Sequence, residues 1–280
     1  MGMNDMTGFL IEHMRYVVLF GGLTIFIAAE SIAPAVMDDA QSWRHTTKNL
    51  ALGFVYYGTA IILGFGVAWV TARTAALHLG LFNSVKVPFW AQFVLGILAL
   101  DFGEYWRHRF MHAVPFLWRF HRVHHSDPVM ETSTTLRNHP LQLIVILVPR
   151  ALLIFLLGLS PLIVGVHALV ALFAQFFHHS NLRLNPTLSM LIGLVVVTPD
   201  QHYVHHAREQ KYTDSQYGVL FIFWDKLFGT LLTGPGRDKL ALGLSEFDSE
   251  FDQSIVGMLA SPLDKAERLR VRTGRSGAAA

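Results

Sequence analysis

The chain has 280 residues, of which 52% are hydrophobic and 15% charged, and a formal net charge of +2. Soluble domains carry roughly 25% charged residues, so the deficit indicates an integral membrane protein, and so small a net charge gives no ground for a nucleic-acid partner. The absence of cysteine excludes disulfides, thiolate zinc sites, iron–sulfur clusters and thiol nucleophiles.

The N-terminal stretch MGMNDMTGFLIEHMRY places Asp5 and Glu12 where a secretory leader would be basic, and no clean small-residue cleavage site follows the apolar run. It reads as a retained anchor. Residues 16–36 are apolar apart from Glu30, Ser31 and a few small polar residues. Residues 51–70 form about twenty positions without a charge, the length that crosses roughly 30 Å of hydrocarbon. Residues 87–100 are a shorter run whose helix continues through Asp101, Tyr105 and His108 into water. Residues 141–157 and 162–177 flank the breaker Gly158-Leu159-Ser160-Pro161 and predict a helical hairpin. Each arm is about 17 residues, or roughly 25 Å at the rise of an α-helix. A hairpin returns the chain to the side it left, so histidines before and after it can meet at one membrane face. Arg150 lies mid-way along one arm, where a charge is costly and faces a polar interior. From Pro235 the chain is polar and reads as a tail, ending in a frayed GRSGAAA.

Eight histidines fall in three clusters beside these apolar runs: His108 and His112 in HRFMH; His121, His124 and His125 in HRVHH; His202, His205 and His206 in HYVHH. Helical residues at i, i+3 and i+4 share a face, so the members of each cluster can aim at a common ion. The adjacent His124 and His125 point far enough apart to serve two. Eight imidazoles exceed the three or four protein ligands of one zinc and suit two ions with open positions. Imidazole binds Zn, Cu, Fe and Ni alike, so ligand type leaves the metal open. His178 and His179 in FHHSN end the hairpin on the same side, and one of them, with His179 favoured, is expected as a further ligand. His139 in RNHP is either a ligand or a polar group at a helix entry. Asn181 either holds water at the metal or caps the turn. Neutral imidazoles cancel none of the charge of two divalent ions, so carboxylates are expected to orient the ring N–H groups. The candidates are Asp101 and Glu104, two turns and one turn before His108 respectively, together with Asp200, Asp214 and Asp225. Scattered His13, His45, His78 and His167 read as bystanders.

In order and separation, HRFMH, HRVHHS, RNHP, HHSN, TPDQHYVHH and YGVLFIFWDKLFGT resemble the fatty acid hydroxylase superfamily, in its sterol desaturase-like branch of membrane di-iron oxygenases. The resemblance covers about residues 100–230. It implies an all-α integral membrane protein of four to five transmembrane or re-entrant helices with a cytosol-facing, helical, histidine-rich cap. It implies two iron ions, O2 as cosubstrate, and oxidation of a lipid C–H bond, by hydroxylation or desaturation. Carried over by position, the ligands are His108, His112, His121, His124, His125, His179, His202, His205 and His206. Some relatives place a second HxxxH before the last box; here Arg183 stands four after His179, leaving His178, His139 or water held by Asn181 to complete the set. The implied organisation is N-terminal transmembrane helices over residues 1–100, a catalytic domain over 101–230 containing the hairpin 141–177, and a polar cytoplasmic tail over 231–280. Arginines concentrate on the histidine side (Arg107, Arg109, Arg119, Arg122, Arg137), which places that face in the cytoplasm. No flavin, haem or dinucleotide motif occurs, so electrons must come from outside, from a ferredoxin or cytochrome docking on the arginine-rich face. Two other classes leave distinct traces. A zinc hydrolase calls for a general-base Glu in an HExxH tract, which is missing. A metal transporter calls for ionisable groups along the spans, where only Glu30 and Arg150 qualify.

Overall fold

A computed structural model describes residues 13–37 and 43–263. Asp5, Glu12 and the GRSGAAA terminus lie outside the described residues. The described chain is helical with no strand. Among the described residues, three stretches are long and apolar enough to cross a membrane: His13–Ile32, Trp43–Ser84 and Pro161–His179. A shorter apolar helix, Gln142–Leu157, accompanies them. The chain is an integral membrane protein.

The helices that position the site are α1 (His13–Ile32), α2 (Trp43–Ala76), α3 (Phe89–Ala113), α4 (Pro115–His125), α5 (Gln142–Leu157), α6 (Pro161–His179) and α7 (Pro199–His205). Proline punctuates them. Pro115, Pro161 and Pro199 each sit at the first helical positions, where the missing N–H would have had no partner. Thr198 and Gln201 form a reciprocal capping box, Gln201 N–H to Thr198 Oγ1 at 3.4 Å and Thr198 N–H to Gln201 Oε1 at 3.0 Å. Thus TPDQ launches the helix that carries the last histidine box.

The predicted hairpin is α5–α6. Gly158 ends α5 in the left-handed region (φ 72°), and Ser160 caps α6 by accepting from Ile163 N–H. Its tip packs with α3 through Leu100, Ile154, Leu159 and Ile163, all buried. In lipid there is no hydrophobic drive between helices, so such contacts hold by close fit. The outer face of α2 shows Phe54, Ile62, Phe65 and Trp69 exposed, as a surface against hydrocarbon requires.

At the histidine end the bundle interior turns polar. Arg137 is fully buried, and its guanidinium donates to Val123 O (3.0 Å), Asn49 Oδ1 (3.2 Å), Ser126 Oγ (2.9 Å) and Gln253 Oε1 (2.7 Å). Glu30, on α1, accepts from Thr132 N–H and Oγ1–H and from Asn181 N–H at 2.8–3.2 Å. The first span is thereby tied to both loops that flank the hairpin, and Glu30 acts as an anchor.

The segment after residue 230 corrects the sequence reading of a polar tail. Its described part, to residue 263, folds back on the cap. Leu242, Phe247 and Met258 are buried, Ser261 O accepts from Arg122, and Gln253 reaches Arg137. Scattered apolar residues at irregular spacing carry no helical period, so polarity dominated the sequence signal.

The hairpin tip gives a test. Gly80 (φ 92°) lies so close to the turn that a Cβ there would stand 2.2 Å from Gly158 N. Gly80→Ala should cost on the order of 1–3 kcal/mol, from strain plus forced displacement of the turn, read as a lowered unfolding temperature of the detergent-solubilised protein. An unchanged temperature would show that the tip is not closely packed.

Candidate metal centre

α3 delivers His108 and His112, α4 delivers His121, His124 and His125, and the last turn of α6 delivers His179. α7 and its C-terminal cap deliver His202, His205 and His206. All nine rings are buried. They sort into two groups, His108, His112, His121, His125 and His205 in one and His124, His179, His202 and His206 in the other. Within each group the ring nitrogens nearest the centre lie within 4.8 Å of one another. Successive helical side chains are rotated by about 100°, which is why the neighbours His124 and His125 serve different groups, as do His205 and His206. The groups abut, with His125 stacked on His206 at 4.5 Å between centroids.

Hydrogen bonds fix which nitrogen faces the centre. His108 Nδ1–H donates to Tyr217 O (3.0 Å) and His205 Nδ1–H to Ser215 O (2.6 Å). His124 Nδ1–H donates to Arg137 O (3.3 Å) and His179 Nδ1–H to Gln175 O (2.8 Å). His121 Nδ1–H donates to Gln142 Oε1 (3.2 Å), and the amide is turned that way because its NH2 donates to Asn138 Oδ1. With the proton held on Nδ1, Nε2 is a bare lone pair. Yet His108 Nε2 lies 3.0 Å from His205 Nε2, and His124 Nε2 lies 3.0 Å from His179 Nε2. Two lone pairs directed at each other at that distance repel, and a cation bound between them removes the repulsion.

Nor do the rings titrate out of this state. Burial, then the neighbouring imidazoles, hold His121, His125, His202 and His206 well below the usual histidine range, and burial brings His124 to about 4. The Nε2 atoms of His121, His125 and His206 are buried with no hydrogen-bond partner. Each such atom costs about 1–3 kcal/mol, a sizeable share of the roughly 5–15 kcal/mol that holds a whole domain together. A purely structural cluster would not keep that cost. The donor set is neutral imidazole nitrogen throughout, which suits iron, zinc or copper.

The structure brings together nine of the eleven predicted histidines. His139 stands apart, with Nε2 donating to Leu259 O (3.1 Å) and Nδ1 accepting from Leu141 N–H (3.1 Å), so it is a helix-entry group. His178 packs 4.2 Å from the His202 ring but belongs to neither group. Asn181 turns away, exchanging amide hydrogen bonds with the Val36 backbone at 2.9–3.0 Å. Arg183 donates to Ala35 O, and no vacancy needs filling at its position.

The carboxylates sit farther out than expected. Among the described residues, only Asp214 of the expected carboxylates approaches one of the nine rings, 3.4 Å from His112 Nδ1. Asp101 receives the N–H groups of Leu220 and Phe221 and the Trp224 indole at 2.9–3.2 Å. Asp225 receives the N–H groups of Tyr217 (2.7 Å) and Gly218 (2.8 Å) and the Thr230 hydroxyl (2.7 Å). Both carboxylates shape the loop whose Tyr217 carbonyl orients His108. Glu104 pairs with Arg107 and Arg150, and exposed Asp200 with Arg237. Carbonyls orient rings because they satisfy the N–H without importing charge, but a backbone carbonyl leaves no mark in sequence. Gln142 did leave one, as the single polar residue opening an apolar helix.

Residues 93–230 match the family model for fatty acid hydroxylases. The chain is 36% identical to an alkylglycerol monooxygenase of Danio rerio over 173 residues, 60% of this chain and 36% of that protein. It is 27% identical to the ornithine lipid hydroxylase OlsE of Rhizobium tropici over 225 residues, 79% of this chain and 66% of that protein. It is 31% identical to the very-long-chain aldehyde decarbonylase GL1-9 of Oryza sativa subsp. indica over 142 residues, 50% of this chain and 54% of that protein. The match thus spans about a third of the length of the alkylglycerol monooxygenase. No solved structure matches.

Because Asp225 sets the Tyr217 carbonyl, Asp225→Ala should weaken metal binding by about 10–100-fold, as loss of an orienting partner does, in a Co2+ or Fe2+ titration of the metal-depleted protein. Asn181→Ala should leave that titration unchanged. Equal behaviour of the two variants would refute the assigned role of the loop.

Proposed function

Since the chain belongs to the fatty acid hydroxylase superfamily through residues 93–230, we propose that it is a membrane non-haem di-iron oxygenase that hydroxylates or desaturates a lipid C–H bond. The observation that carries this reading is the facing of bare Nε2 atoms, His108 on His205 and His124 on His179. His108, His112, His121, His125 and His205 would hold one iron, and His124, His179, His202 and His206 the other. Bound there, the irons supply O2 activation and hydrogen removal from an adjacent carbon, with electrons from an external ferredoxin or cytochrome.

The chain's own residues supply the rest. Tyr217, Ser215, Arg137 and Gln175 carbonyls, with the Gln142 amide, keep the protons of His108, His205, His124, His179 and His121 on the outer ring nitrogen and their lone pairs inward. A cavity of about 260 Å³ opens beneath the rings between α2, α3, α5 and α6, lined by His108, His121, His124 and His179 and by apolar Met111, Leu147 and Leu172. It faces the bundle interior, so a lipid entering laterally from the bilayer would meet the histidines without crossing water. Catalysis would reside in residues 101–230, hung from the spans of 1–100. The arginine-rich side carrying Arg109 and Arg119 would face the cytoplasm and receive the electron donor.

The test is anaerobic purification with metal quantification. About two irons per chain are expected, as two separate ligand groups require. His205→Ala should lose metal and O2-dependent oxidation of membrane lipid, and His78→Ala should lose neither. One zinc and no iron in the wild type, or equal effects of the two substitutions, would overturn the proposal.

A further inference from the structure

The cavity beneath the histidines has a second, charged wall. Glu104, Arg107 and Arg150 line it together with the histidines. Glu104 is engaged on both oxygens, by Arg107 on Oε2 and by Arg150 on Oε1 (3.2 Å). Arg150 also donates to Val164 O (3.1 Å) across the hairpin. The three side chains are only 12–13% exposed.

As an internal pin this trio is overbuilt. One carboxylate neutralises one guanidinium, and a second remains. Two guanidinium groups offer ten N–H donors, against two carboxylate oxygens, one carbonyl and the weakly accepting Met111 sulfur, 3.9 Å from Arg107 Nη1. Arg107 Nε is buried with no acceptor at all. A cation at membrane depth costs about 2.5–3.5 kcal/mol even on insertion scales and marks a substrate or ion path by default. What the wall lacks is an acceptor with negative charge, and the planar Arg fork matches carboxylate and phosphate geometry.

The spacing limits what such a ligand presents to the rings. Glu104 precedes His108 by one helical turn, about 6 Å, and Arg150 follows Gln142, the partner of His121, by eight residues, about 12 Å along α5.

We propose that Arg107 and Arg150 form a subsite for the anionic head group, carboxylate or phosphate, of a lipid substrate. The C–H bonds brought to the histidines are then those near the head group, not those at the far end of the chain. This deepens the oxygenase reading and rests on it for its regiochemistry; the binding itself does not.

The experiment measures equilibrium binding of palmitate, hexadecyl phosphate and hexadecanol to the metal-loaded protein in detergent. At least one of the two anions should bind about tenfold or more tightly than the alcohol, a difference of about 1.4 kcal/mol. Whichever anion leads identifies the head group. Arg150→Gln and Arg107→Gln should each bring anion binding towards that of hexadecanol, leaving hexadecanol binding and metal content unchanged. Arg150→Lys, which keeps charge but loses the fork, should restore part of the preference. Equal binding of all three probes to the wild type, or parallel weakening of all three in Arg150→Gln, would overturn the subsite. Anion preference without O2-dependent oxidation would uphold the subsite and refute the oxygenase. Oxidation of hexadecanol as readily as palmitate, with equal binding, would do the reverse.

Discussion

The fold is organised around an electrostatic difficulty. Four imidazoles are forced by carbonyl acceptors to carry their protons outward, and their lone pairs then meet head-on at 3.0 Å in two places. Water is poorly suited to relieve both contacts, since the rings are buried and crowded among the other imidazoles of the two groups. Positive charge relieves them directly. Much of the remaining polar structure serves to keep the rings from relaxing away: the TPDQ cap that starts α7, the Gln142 amide locked by Asn138, and the loop shaped by Asp101 and Asp225.

That support is arranged in layers of differing charge. Around the rings stand mostly neutral carbonyls, with Asp214 beside His112 as the approaching carboxylate. Full charges come one layer out, in Asp101, Asp225 and Arg137, and each is saturated by hydrogen bonds. Neutral partners raise ligand basicity without cancelling the ion's field, and the outer charges set position more than potential. The tether from Glu30 to Thr132 and Asn181 extends the same logic to the membrane anchor, so the first span and the cap are one mechanical unit.

Sequence revealed the centre better than its surroundings. Histidine spacing on helices is a strong signal, because few other pressures crowd imidazoles at i, i+3 and i+4, and the split of adjacent rings between two groups follows from helical geometry alone. The hairpin was legible from Gly158 to Pro161, whose backbone preferences are local. His139 misled because RNHP abuts the other boxes, while the Leu259 carbonyl that claims it lies 120 residues away. Asp101, Asp225 and Asn181 were expected beside the metals, yet most of their partners are backbone groups brought close only by tertiary folding. Glu104 lies on the helical side that points to Arg150, a pairing set by how α3 leans on the hairpin and not by either helix alone.

The match to the family model stops at residue 230, but the folded unit does not. The strap formed by residues 240–261 closes over the cap: its Gln253 completes the hydration-like shell of Arg137, Ser261 takes up Arg122, and Leu259 takes up His139. Severing the molecule at the homology border would strip these partners from three interior cations and proton donors at once. The segment matched by the family model and the folded unit therefore differ in extent, and the strap beyond the match is the part that seals the cap.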